Sequence, residues 1–452
     1  MNKKRIVAII FCSLMLLALI APILSFAFNL YGSVIIYSSK TPGIEIEGSL
    51  KQFGNPKKYT NEVVAKEKAN FNFVCWSDGC LEPNRRDKFQ KKDQTFDAYG
   101  RYFLNDANLI QFEKDRDVFA FSKPTKTNYL FYLPDNSFFE SDATINKIAN
   151  YENLKSQYKF DFFVHLSDSP FQTQNLEFKS MSNDKTFLHN YLAYELINTV
   201  TNQTQRKYGF VNLVFGATYN GLYLWLESFS DYLERTNNLK VDWEIIAMNS
   251  VGNQYVTYNN GNASFYVLSN NTTKTNEEIC INAHEKLEEL SEGIIDSFDT
   301  KSISLYLAIN EYMKNNSNIE NDLKIIKVGD KIYIDPFTSY SLSSPLFKWQ
   351  NYSPIGLCEV NRFLLKSSKN MLIMEEKNRY IKEFVESELN IYRECKNSLV
   401  QFDNSINEDI KKWGLNNSFG LPEEYYQLNT RDEYLTLYEQ WLEERILWLN
   451  GN

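Results

Sequence analysis

Cys75 and Cys80, in "CWSDGC", are the closest-spaced pair of cysteines in this chain. Oxidised, they would close a small loop, which suits an oxidising compartment; reduced, they are two thiols in an ordinary turn. The sequence leaves both open. It argues against a zinc site there, because the chain has three His and none lies near. Cys280, Cys358 and Cys395 remain, an odd number, so at least one is unpaired or intermolecular. The sequons at Asn202, Asn262 and Asn351 are acceptors only if the host glycosylates secreted proteins.

A second stretch, "SNDKTFLHNYLAYEL" at 182–196, changes character abruptly. Polar, turn-like residues give way to Leu188, Tyr191, Leu192, Glu195 and Leu196 at helical spacing. The pattern predicts a helix over 184–198 with Asp184 as its N-cap. Whether its polar start builds a site or only a core is the question that the surrounding elements must answer.

Those elements read as mixed α and β. "SVIIYSS" predicts a strand, and "VVAKEKANFNFVCW" is ambiguous. "DVFAFS", "NYLFYLP" and "KFDFFVHLS" predict strands. In "YGFVNLVFGATYNGLYLWLESF" two apolar runs flank "GATYNG", a hairpin signal. "DLKIIKVGDKIYID" predicts a second hairpin turning at Gly329-Asp330. Residues 283–313 predict two helices, and the chain from about 370 is helical and charged. No internal repeat or Pro/Gly/Ser-rich linker stands out.

The 452 residues, 43% hydrophobic and 23% charged, are those of a folded chain rather than a disordered one. The net charge of −9, with no basic block beyond the N-terminus, argues against nucleic acid as a partner. At that N-terminus Lys3, Lys4 and Arg5 precede an uncharged run over residues 6–28, long enough to span a bilayer. The basic flank predicts a cytoplasmic N-terminus with the remainder outside. An uncleaved anchor fits the length of the run better than a signal peptide, and Ser25-Phe26-Ala27 is a loose cleavage match. Cys12 lies inside the run rather than at its end, against a lipoprotein anchor.

Four segments, in order, resemble one family. "SNDKTFLHNYLAYEL" resembles a segment in which Asp-Lys-Thr precedes a Leu-Arg-Asn-x-Leu-Ala-Tyr-Glu-Leu helix. "FVNLVFGATYNGLYLWLES" resembles a strand, a turn and a Gly-x-Tyr strand ending in Glu. "LYLAINEYMKNNSNIENDLKIIKVGDKIYIDPF" resembles a helix, loop and hairpin, and "YLTLYEQWLEERILWLN" a closing helix. The family is that of the spore-coat protein H (CotH) kinases, atypical protein kinases. The likeness runs from about residue 105 to the C-terminus.

The resemblance implies an α+β fold of the atypical protein-kinase type, two-lobed, with a helical C-terminal part and, here, a preceding transmembrane helix. The domains would be 1–30 (anchor or signal), 31–104 (an extracytoplasmic region) and 105–452 (the kinase-like domain). The implied cofactor is ATP with Mg or Mn, and the implied reaction is phosphate transfer to Ser or Thr of secreted or coat proteins. That chemistry needs a cation on the phosphates and hard oxygen ligands for the metal. Carried over residue by residue, Lys126 is the phosphate cation, with Lys123 the alternative. Glu195 and Glu227 pair a lysine or face the nucleotide. Asn321 and Asp335 are the catalytic and metal-binding pair. Three departures stand against this. Ser317 replaces a loop Asp, a Trp-Asp-x-Asp pattern is absent after Asp335, and the Arg-Gly-Asn stretch before Lys126 is missing. His189 stands where the family has Arg. Two functions are therefore expected as alternatives: an active envelope kinase, or a degenerate kinase fold serving as an envelope or spore-coat binding and assembly protein.

Overall fold

A computed structural model describes Met15, Ala18, Ile20, Asp184 and residues 32–120, 124–148, 159–181, 186–201, 206–237, 243–248, 256–258, 263–269, 273–313, 324–337, 370–414 and 430–451. The anchor expected over residues 6–28 lies almost wholly outside these. Among the described residues no helix is long and apolar enough to cross a membrane. The chain divides into two compact units. One is Met1–Phe103 with Asp135–Ser137 and Gly216–Thr218, and the other is the remainder.

In the first unit β1 (Ser33–Ser39), β2 (Ile44–Glu47), β3 (Lys51–Gly54), β4 (Val63–Glu67), β5 (Phe71–Trp76), β6 (Asn84–Arg85) and β7 (Gln94–Tyr102) form two sheets, ordered β3-β1-β7-β5 and β2-β4-β6. The ambiguous "VVAKEKANFNFVCW" is two strands. Strand alternation buries Ile35 and Tyr37 with Trp76 and Phe96. Arg85 lies over the Phe96 ring at 3.8 Å and is held by Asp78 and Asp87. Of the two states open to "CWSDGC", both cysteines are half-buried free thiols.

The second unit is built on a barrel of β8 (Leu109–Phe112), β9 (Thr125–Tyr132), β10 (Phe138–Ile148), β11 (Asp161–Leu166), β12 (Asn175–Lys179), β13 (Tyr208–Phe215) and β14 (Thr218–Glu227). It closes in the order β10-β11-β12-β14-β13-β8-β9, so no strand edge is left unpaired. Side chains alternate across each strand. Leu176, Phe178 and Tyr223 fill the barrel interior with Phe162 and Phe215. Leu222, Leu224 and Leu226 point the other way, into a helical core. On β12 the same alternation turns Glu177 and Lys179 away from that interior.

A five-stranded antiparallel sheet follows, from β15 (Trp243–Met248), β16 (Val256–Tyr258), β17 (Ala263–Ser269), β18 (Lys324–Val328) and β19 (Lys331–Ile334) in the order β16-β17-β15-β18-β19. The helices are α1 (His189–Thr201), α2 (Phe229–Asn237), α3 (Asn276–Ser291), α4 (Thr300–Tyr312), α5 (Met371–Val400), α6 (Asp403–Trp413) and α7 (Arg431–Gly451). Asp299 caps α4 by accepting from the Ser302 amide at 2.8 Å, and Asn370 caps α5 likewise. Leu192, Leu196, Ile309, Phe384, Leu399 and Trp441 of α1, α4, α5 and α7 share one core.

The α+β class and the helical C-terminal part are as the sequence predicts, and both hairpins form. Two local expectations do not hold. "DVFAFS" is no strand over its described residues: residues 116–118 are a 3-10 turn and Phe119 packs into the barrel core. The helix expected at 184 begins at His189. Asp184 instead sits in the preceding loop, fully buried, and accepts from the Thr186 hydroxyl at 2.7 Å and the Asn190 amide at 3.1 Å. It still serves the helix N-terminus, but from one turn upstream. The first hairpin turns at Gly216-Ala217, so "TYNG" belongs to β14.

Candidate functional site

Five charged side chains meet where β12, β18 and the segments flanking β13 and β19 converge. Glu177 of β12 accepts from Lys324 Nζ of β18 at 2.6 Å, with Lys179 Nζ at 3.3 Å. Arg206, immediately before β13, donates from Nη1 to Asp335 Oδ2 at 2.7 Å and from Nε to the Glu227 carbonyl at 2.7 Å. Its Nη2 lies 3.7 Å from Glu177 Oε1 and makes no hydrogen bond. The Arg206 guanidinium packs against the rings of Phe229 and Phe337. Glu177, Lys179, Arg206 and Asp335 are buried, Asp335 completely, and Lys324 is half-buried.

Burial alone would neutralise these groups. It raises the Glu177 carboxyl, but Lys324, Lys179 and Arg206 together outweigh it and hold that carboxyl far below the usual range. Burial lowers Arg206, and Asp335 and Glu177 more than restore it. Lys324 goes the other way: burial prevails over Glu177 and its pKa falls. The cluster is a mutually compensated ionic network of three cations and two anions.

Glu227 ends β14 a short step away. Its carboxylate is held by Arg235 of α2, at 2.9 Å to Nε and 2.7 Å to Nη2, and accepts from the Lys207 amide. Asp231, in the first turn of α2, receives the Thr173 hydroxyl, the Gln174 and Asn175 amides and Asn175 Nδ2, all within 2.6–2.9 Å. These bonds clamp the β11–β12 loop over a cavity of 830 Å³, whose lining includes Phe139, Asp168, Gln174, Glu227, Asp231 and Arg235.

Of the residues that the sequence singles out, Glu227 and Asp335 are brought together, with Arg206 as the bridge. Glu195 is elsewhere: half-buried on α1, it takes hydrogen bonds from Tyr208 and Tyr191, and burial raises its pKa. Lys126 is an exposed residue of β9 opposite Thr144, separated from β12 by β10 and β11. Asn321, Ser317, Lys123 and Lys185 lie outside the described residues. Sequence reasoning missed Glu177, Lys179, Arg206, Lys324 and Arg235. A signal for the first two was present: in "LEFK" two charges alternate with bulky apolar residues, so one face of the strand must carry charge into the fold.

A divalent cation needs several hard oxygens. Among the described residues no group of three or more acidic, His or Cys side chains could hold one. Both oxygens of Asp335 are engaged, Oδ2 by Arg206 and Oδ1 by the Phe337 amide at 3.0 Å. The described residues therefore do not fit a metal at Asp335. Residues 144–333 match the family model for CotH kinase protein. No curated protein matches the chain. The matched segment holds Glu177, Lys179, Glu195, Arg206, Glu227 and Lys324; Lys126 precedes it and Asp335 follows just past its end.

Proposed function

We propose that this chain is a kinase-related CotH protein of the cell envelope or spore coat that works by binding and assembling secreted or coat proteins. The observation that carries this reading is the state of Asp335, the described carboxylate that the family likeness would give to a metal. It is sealed from solvent and both its oxygens are spent within the chain. To take a metal it would have to give up Arg206, and breaking a buried, hydrogen-bonded pair costs about 3–5 kcal/mol. The basic-flanked apolar run over residues 6–28 would hold the protein at the membrane with its main part outside, or be removed to release it.

The cavity beside Glu227 supports a second reading, phosphate transfer from ATP with Mg or Mn to Ser or Thr of such proteins. Thermal unfolding of the full chain with and without ATP and Mn²⁺ or Mg²⁺ separates the two, because a ligand of the native state must raise the midpoint. The binding-protein reading expects no rise at millimolar nucleotide and no phosphate incorporated into envelope or coat proteins. A metal-dependent rise that Asp335→Ala abolishes, together with phosphate transfer, would establish the kinase instead.

A further inference from the structure

We infer that Arg116, Lys147 and Lys412, gathered around the rings of Phe160 and Trp413 where β10 ends and β11 begins, form a binding site for a dianionic phosphate group, free or as a monoester. This goes beyond the binding-protein reading and uses no member of the Glu177–Asp335 cluster. The Arg116 guanidinium lies 5.8 Å from the centroids of both rings. Lys147 Nζ is 5.0 Å from that of Phe160, and Lys412 Nζ is 5.2 Å from that of Trp413. Local bonds hold these groups in place. The Lys147 amide donates to the Ala120 carbonyl at 3.1 Å, which ties β10 to the segment after the 116–118 turn. The Phe160 carbonyl accepts from the Tyr223 hydroxyl at 3.0 Å, Trp413 Nε1 donates to the Asn220 carbonyl at 2.8 Å, and Lys412 Nζ donates to the Tyr219 carbonyl. Positive charge exceeds negative there among the described residues. Asp409 is engaged by Lys159, and Asp161 accepts from the Ser180 amide. Asp117 comes no closer to Arg116 than 3.5 Å and is 86% exposed. Partial burial and then the Arg116 charge lower the pKa of both lysines, that of Lys412 to about 8. Like charges held together in this way are relieved by an anion between them. The planar arginine fork matches two phosphate oxygens at once, and the two lysines add point charges, so the donor set suits a phosphate dianion.

The test is isothermal titration calorimetry of the full-length protein at constant ionic strength. Sodium phosphate and O-phosphoserine are the probes, and sodium acetate and serine are the controls. At least one phosphate should bind saturably, and the controls should give no binding heat. Tighter binding of O-phosphoserine assigns the site to a phosphorylated partner, and tighter binding of inorganic phosphate assigns it to the free ion. The double variant Arg116→Gln/Lys412→Gln should weaken the interaction by about tenfold or more. Arg116→Lys keeps the charge but loses the fork, and should fall between the parent and the double variant. If the double variant does not fold, Arg116→Lys and Lys412→Gln are each compared with the parent, and two unchanged affinities overturn the inference. Binding of neither phosphate, or an affinity that a folded double variant leaves unchanged, also overturns it and leaves the binding-protein reading standing.

Discussion

At the scale of single residues, the structure separates two roles that the family likeness assigns together. Lys126 and Asp335 are both expected at a phosphate site, yet one is an exposed strand residue and the other is a buried partner of Arg206. Truncation should tell them apart. Asp335→Ala strands the Arg206 charge in the interior and should cost about 3–5 kcal/mol in urea unfolding. Lys126→Ala touches no such network and should stay within about 0.5 kcal/mol of the parent. Equal, small effects would mean that the Arg206–Asp335 pair does not carry the fold. Asp335 was visible in the sequence because it follows a strong hairpin. Arg206 was not: it stands 129 positions away from Asp335, and no local pattern marks two such residues as partners.

The elements were legible where one periodicity ruled and obscured where tertiary packing overrode it. The hairpin at Gly329-Asp330 and the C-terminal helices announce themselves by turn chemistry and helical spacing. "DVFAFS" has the composition of a strand, but Phe119 is drawn into the barrel core against Phe112 and Phe215, and the chain turns there instead. At Gly221 the barrel and α6 meet within one unit. Its φ is +124°, and an added Cβ would collide with the Asp409 carboxylate. Asp409 is paired with the buried Lys159 at 2.5 Å and accepts from the Leu222 amide at 2.9 Å. Gly221→Ala should therefore strain β14 and displace a buried ion pair, a loss of about 3 kcal/mol or more. Gly329→Ala is the control: its φ is also positive, at +57°, but nothing lies within 4 Å of the new Cβ. That change should cost only ~1 kcal/mol. Equal losses in chemical denaturation would mean that backbone strain alone, not the Lys159–Asp409 seat, is felt at Gly221.

For the molecule as a whole, the helical core carries a pH dependence through His189. It opens α1, is 1% exposed, and packs against Tyr438 of α7 with ring centroids 4.1 Å apart and the ring planes tilted by 41°. Neither ring nitrogen makes a hydrogen bond, and burial pushes its pKa down from 6.5 to about 4, with Asp184 opposing weakly. The native state thus holds His189 neutral, whereas the unfolded chain binds a proton near pH 6.5. Stability from this residue is fully present above that value and drains away as pH falls toward 4, because the unfolded state gains the proton first. One group over that interval corresponds to about 3 kcal/mol at most. The depressed Glu177 carboxyl acts lower down: its stabilisation is present above the ordinary carboxylate range and is lost only below it. The two are therefore separable by window. Denaturation midpoints measured from pH 7.5 to 4.5 should fall for the parent and run flatter for His189→Phe, which keeps the ring against Tyr438 and removes the titrating nitrogens. Parallel slopes for the two proteins would mean that His189 is solvated in the native state and that α7 does not seal it. Placing a permanent cation there, His189→Arg, should be worse than either at every pH in that range, since it buries a charge whose near carboxylate among the described residues, Asp184, is already engaged by Thr186 and Asn190.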